Sequence, residues 1–206
     1  MPKVTDIKTQ IKDTEKVSVY IDGKYTFSLT IAQLTENKQV RINSELTETE
    51  VSEFKKLSSL TNQYIRMVSL IYARPRSEYE IRTKLRTKKI EPEEIEELIT
   101  KLKKGEYLND EKFTEWWVSG RKSSRPISAL KLKSELAQKG IKSDLAQRVI
   151  SENFTKEDEF SALKKLIEKK KDKYEDTQRL MSFLASKGFN YSQIKEALSD
   201  NTEESW

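Results

Sequence analysis

The strongest constraint on how this chain can fold is a helical pattern that returns three times. Leu85, Leu136 and Leu184 anchor it, 51 and 48 residues apart. Four residues before each anchor stand Ile81, Leu132 and Leu180, and three residues after it stand Lys88, Lys139 and Lys187. Ile90, Ile141 and Phe189 follow at five, Ile95, Ala146 and Ile194 at ten, and Ile99, Ile150 and Leu198 at fourteen. Arg74-Pro75 and Arg125-Pro126 precede the first two anchors at equal distance. A period of this size encodes a small helical unit that buries its apolar face against its neighbours, so it predicts a tandem array.

Punctuation residues divide the units. Ser77-x-x-Glu80 reads as a capping box opening a helix over Ser77 to Lys88. Pro92 fits the first turn of a helix reaching Lys104, with Gly105 as its C-terminal stop. Asn109 or Asp110, Ser128, Ser143 and Asp176 mark further helix starts. Gly120 with the Arg121–Pro126 run reads as a break, and Gly140 as another stop.

The first forty residues follow another rule. Val17–Ile21 and Tyr25–Leu29 alternate about Asp22-Gly23, a strong hairpin signal, with Val4–Ile11 as a third strand and Val40–Ile42 as a weaker one. Thr47 and Glu50 cap a helix over about 48–58, and Tyr64 to Tyr72 supplies the first helix of unit one. The expectation is a mainly α fold: three tandem three-helix repeats in an elongated array, preceded by a small N-terminal β element. The divisions fall at 1–60, 62–105, 107–153 and 156–198, with a frayed tail over 199–206.

Composition removes most chemistry. The 206 residues contain neither Cys nor His, so thiol and imidazole catalysis and the usual zinc, haem and iron–sulfur ligation are unavailable. Neither G-x-x-x-x-G-K nor G-x-G-x-x-G occurs. A binding protein without catalytic residues, cofactor or metal is expected. There is no apolar run of the roughly 20 residues a membrane span needs. No apolar signal core opens the chain, which predicts a cytoplasmic protein.

The net charge is +5, and the cations cluster near the second helices of the first two units. Arg74, Arg76, Arg82, Arg86 and Lys89 fall in unit one; Arg121, Lys122, Arg125, Lys131 and Lys133 fall in unit two. Arg82 and Arg86 share a helix face, which suits phosphates or an acidic protein groove. The alternative is a solvated face neutralised by glutamates of the next helix, Glu91 to Glu97. Lys164, Lys165 and Lys169 to Lys171, interleaved with Glu168, Asp172 and Glu175, read as an exposed helix. Of Trp116 and Trp117, one is expected to pack with Phe113 at the junction of units one and two, and the other to be partly exposed.

Three strings in order carry a family likeness. Arg74-Pro75-Arg76-Ser77-Glu78, then Leu108-Asn109-Asp110-Glu111-Lys112-Phe113-Thr114, then Leu136-Ala137-Gln138-Lys139-Gly140-Ile141 resemble the RecX family of bacterial recombination regulators over about 62–198. Two departures stand out: Lys89 occupies a place where the family has Gly, so that helix end is expected to need a different cap, and the third unit has Lys173-Tyr174 for Arg-Pro. The resemblance implies a monomeric, non-enzymatic regulator of DNA repair, recombination and the SOS response. Its expected partners are RecA and the RecA–single-stranded DNA filament, whose growth and activities it would limit, with weak direct DNA binding besides. A helix-turn-helix-like transcription regulator is the alternative, and a pure protein-interaction scaffold a third reading.

Overall fold

In a computed structural model, residues 1–11, 13–174 and 176–203 are described, the last three by their backbone alone. They form two compact units, Met1–Leu70 and Ile71–Trp206.

The first unit is a three-stranded antiparallel meander, β1 (Val4–Gln10), β2 (Asp13–Ile21) and β3 (Lys24–Thr30). Asp22 and Gly23 both take positive φ, 48° and 77°, as the tight turn between β2 and β3 requires. Alternation then buries Val17, Val19, Phe27 and Leu29 against Val40, Leu46, Val51 and Phe54, with Phe27 stacked on Phe54 at 5.3 Å. A short helix, α1 (Ile31–Glu36), has no periodicity to announce it and is set by a capping box of Thr30 and Gln33. Val40–Ile42 is not a strand: the chain turns there through Asn43 at φ 73°, and Val40 alone drops into the core.

Helix α2 (Glu48–Ala73) runs unbroken, where the sequence suggested two helices parted near residue 60. No Gly or Pro interrupts it. Thr61 and Asn62, which resemble caps, are engaged instead by Gln33 and Lys16. It stops before Arg74-Pro75, since the residue preceding Pro is driven out of the α region.

Beyond it lie α3 (Glu78–Thr87) and α4 (Pro92–Lys104), then α5 (Asp110–Ser124), α6 (Ala129–Gln138) and α7 (Ser143–Asn153). The last group is α8 (Lys156–Lys170), a 3-10 turn over Lys171–Lys173, α9 (Thr177–Ser186) and α10 (Tyr191–Glu203). The three anchors Leu85, Leu136 and Leu184 are each 0% exposed, as the shared offsets predict. Each full burial of this kind is worth about 2 kcal/mol. Gly120 does not break α5, which passes through it to Ser124. Helix α10 carries residues 199–203, so the tail is helical where fraying was expected; residues 204–206 and Glu175 lie outside the described residues.

The repeats join through their second helices. Ser77, the N-cap of α3, accepts the Glu80 N–H at 3.2 Å and donates its hydroxyl to the Lys139 carbonyl at the end of α6, 2.7 Å away. Ser128 repeats this at α6, accepting from Lys131 at 3.1 Å and donating to the Lys187 carbonyl at the end of α9, 2.8 Å away. Both serines are wholly buried. A carboxylate from the following unit completes each cap: Asp110 accepts the Glu78 N–H and Glu159 the Ala129 N–H, both at 2.7 Å. The positive end of one helix thus meets the negative end of the next.

This geometry accounts for the Lys89 departure; nothing in it explains Lys173-Tyr174. All three second helices end through a left-handed residue: Lys89 (φ 57°), Gly140 (φ 76°) and Gly188 (φ 91°). A Cβ on Gly140 would stand 2.3 Å from that of Tyr79, and one on Gly188 would stand 2.6 Å from the Ser128 hydroxyl. Lys89 is exposed, so only its backbone conformation is strained, and no different cap is needed. Similarly Glu106 (φ 58°), not Gly105, is the left-handed residue ending α4.

Two substitution pairs test this junction by chemical denaturation. Lys89→Gly should stabilise the chain by ~1 kcal/mol, whereas Gly140→Ala should destabilise it by more than that, because it adds a clash to the conformational strain. Ser128→Asp keeps an N-cap acceptor but has no hydroxyl to donate, and it sets a carboxylate against the Lys187 carbonyl. It should destabilise at least as much as Ser128→Ala, ~2 kcal/mol, although Asp is as good a cap as Ser in an isolated helix.

Candidate functional site

The cations singled out by the sequence cluster around these junctions, but half of them are engaged with carboxylates. Arg74 pairs with Glu80 at 2.9 Å, and Lys139 reaches the same carboxylate from the next repeat at 2.9 Å. Arg82 is held between Glu78 at 2.6 Å and both oxygens of Glu96, so the neutralised-face reading holds at that residue. In repeat two, Glu135 collects Arg121 at 2.7 Å, Arg125 at 3.2 Å and the Trp117 indole N–H at 3.1 Å. Lys122 pairs with Asp158 at 2.6 Å, and Lys133 donates to Gln147 at 3.3 Å. Arg86, Lys89 and Lys131 are exposed and make no ion pair among the described residues.

Burial pushes the Glu80 carboxyl up, but the hydrogen bonds and charges of Arg74 and Lys139 outweigh it and hold the group below its usual range. Glu78 is held low in the same way by Lys103 and Arg82. Asp110 has no cation at contact distance among the described residues. Its burial wins over the Glu78 N–H bond and raises it.

Two open basic grooves remain, one on the same flank of each junction. The first, about 360 Å³, is lined by Arg76, Glu80, Thr83, Lys84, Gln138 and Lys139. The second, about 460 Å³, includes Arg125, Lys131, Glu135, Lys170, Ser186 and Lys187. The two share register: Glu80 and Lys131, Lys84 and Glu135, Gln138 and Ser186, and Lys139 and Lys187 stand at equal offsets from their anchors. Arg76 is half-buried, and its buried Nε has no partner. Lys84 and Lys139 belong to the basic clusters of the sequence but not to its candidate binding residues, and Lys187 is legible there only as a repeat marker.

Trp117 packs on Phe113 at 5.9 Å with Arg121 over its ring at 4.5 Å, so it is tied within repeat two; Trp116 is 41% exposed. The lysines of α8 and the turn after it are partly paired, Lys164 with Asp200 and Lys171 with Glu168. Among the described residues no group of His, Cys, Asp or Glu is arranged to hold a metal, and no helix is long and apolar enough to cross a membrane.

Comparison with known proteins agrees with this architecture. Residues 64–102 match the first three-helix domain of RecX, 109–150 the second and 157–198 the third. A regulatory protein RecX of Clostridium perfringens is 34% identical over 202 residues, covering 93% of this chain and 92% of its own length. One of Bacillus subtilis is 32% identical, covering 96% and 76%. A crystal structure of regulatory protein RecX superposes with a TM-score of 0.76 at 23% identity, over 95% of this chain and all of the other. That of RecX from Lactobacillus salivarius gives 0.62 at 23% identity, over 68% and 95%.

The carboxylate that ties two repeats together is testable by pH. The folded Glu80 carboxyl titrates below the unfolded one. Its contribution is therefore complete above the unfolded value, about 4.3, and is lost as pH falls through the folded value. Glu80→Gln should lower stability at neutral pH and reduce the loss of stability between about pH 5 and 3. An unchanged acid limb in urea titrations at several pH values would remove Glu80 from this role.

Proposed function

We propose that this chain, which belongs to the RecX family of regulatory proteins, binds RecA and RecA–single-stranded DNA filaments in the cytoplasm and restrains their recombinase, ATP-hydrolysing and coprotease activities. It does so without catalysis, by occupying the filament. The observation that carries this reading is a net-basic groove at the same place on two successive junctions, with Glu80 and Lys84 of the first exchanging sign with Lys131 and Glu135 of the second. A filament presents equivalent acidic and phosphate groups protomer after protomer. Two equivalent grooves on one chain engage two such places together, so the second contact gains the advantage of effective concentration.

The residues that do this are those with charge to spare. Lys84 and Lys131 project from α3 and α6, while Lys187 stands at the end of α9. Arg74 and Arg121 pair with the groove carboxylates Glu80 and Glu135 and serve to hold the groove walls. The helix-turn-helix alternative fares worse, because the third helix of repeat one, the one such a module lays in the major groove, exposes Glu93, Glu96 and Glu97.

The test is ATP hydrolysis by RecA on single-stranded DNA. The wild-type chain should inhibit at substoichiometric ratio, and Lys84→Glu/Lys131→Glu/Lys187→Glu should lose most of that inhibition with an unchanged melting profile. For direct binding to single-stranded DNA, the slope of log K against log salt should fall by about 0.7 for each phosphate contact removed. Full inhibition by the triple variant, or none by the wild type, overturns the reading.

A further inference from the structure

Each junction has a second groove on its other flank, and these two differ in charge. At the first junction an opening of about 560 Å³ is lined by Tyr79, Arg82, Lys103, Asp110, Gly140 and Lys142. Its carboxylates are occupied. Glu78 is taken by Arg82 and Lys103, each at 2.6 Å, and Asp110 by the Glu78 N–H.

At the second junction the groove widens to about 820 Å³, with Leu130, Phe160 and Phe189 as its apolar surface and Glu157, Glu159 and Glu196 around it. Matched offsets show how the charge changes. Glu157 stands where repeat two has Asn109, Glu196 where it has Arg148, and Asn190 where it has Lys142. Glu159 is spent on the Ala129 N–H. Glu157 and Glu196 are exposed and make no ion pair among the described residues, and Lys156 is the cation lining the groove. Leu130 is 63% exposed at the edge, a large apolar side chain with little cover.

We propose that this groove docks a segment of a partner protein in which an arginine or lysine flanks a bulky apolar side chain. The apolar side chain covers Leu130 and Phe160, and the cation sits between Glu157 and Glu196. Covering the apolar surface also removes water from around the carboxylates, which strengthens the charge pairing. Nucleic acid is repelled here, since a chain of net charge +5 has placed three glutamates around one cavity. The open shape suits a chain segment rather than an enclosed small molecule. The chain thereby acquires two faces at one junction, cationic on one flank and anionic on the other. The carboxylates that carry this proposal are separate from the basic grooves, so it does not rest on the filament reading.

The experiment uses the full chain and fluorescence anisotropy of three labelled probes: a peptide alternating arginine and leucine, one alternating arginine and serine, and one alternating glutamate and leucine. The arginine–leucine peptide should bind best. Glu157→Gln/Glu196→Gln should weaken it roughly tenfold, and Leu130→Ser should weaken it too. All these positions are exposed helix-surface sites, and circular dichroism confirms that each variant stays folded. Equal binding of the arginine–serine peptide, indifference to the glutamine pair, or no binding of the arginine–leucine peptide overturns the proposal. So does single-stranded DNA that loses affinity through the same two glutamates.

Discussion

The hydroxyl of a buried serine at the start of each second helix is the contact on which the repeat array turns. It accepts one hydrogen bond from its own helix and donates another to the last turn of the next repeat's second helix. An orphan N–H and an orphan C=O are satisfied by a single atom, where leaving either buried and unpaired would cost about 1–3 kcal/mol. Only a side chain that both accepts and donates can do this, and at the second junction the Ser128 hydroxyl lies so close to Gly188 that a Cβ there would stand 2.6 Å from it. The third repeat has no following repeat among the described residues, and there the cap is Asp176, an acceptor only. The first repeat has none ahead of it among the described residues, and there the left-handed position is Lys89 instead of Gly.

Charge pairing then decides which cations remain available. Glu80 and Glu135 lie largely out of solvent, so an unpaired charge at either would be costly, and each draws in several donors. Arg74, Arg121 and Arg125 are therefore parts of the wall. The exposed pairs, such as Lys101 with Glu97, contribute at most about 1 kcal/mol each and set little. What is left over is sorted by flank: cations on one side of the junctions, and unpaired glutamates on the other side of the second.

The repeat unit was legible because burial has a period. Ile81, Leu85, Ile95 and Ile99 mark one unit, their equivalents mark the next, and all the anchors are buried. Caps and the Asp-Gly hairpin were legible for local reasons, since a Ser, Thr or Asn side chain reaches only its own first turn. The misreadings share a cause as well. Gly120 and the 58–62 stretch look like breaks to a local rule, but α5 and α2 run through them because their flanks are held by packing, whereas Gly105 stands at the C-cap of α4 as read.

The chain's own order of residues thus determined the period, the helix starts, the sheet and the absence of thiol and imidazole chemistry, because each depends on neighbours within a turn or a hairpin. Tertiary structure alone decided what Ser77 and Ser128 donate to, and why Gly is required at 140 and 188 yet not at 89. It also decided which basic side chains are free. Those outcomes depend on partners 59 or 62 residues away, as in Ser128 with Lys187 and Ser77 with Lys139. A charge's neighbours across a junction have no periodicity to betray them, so the distinction between a binding cation and a structural one exists only once the repeats have docked.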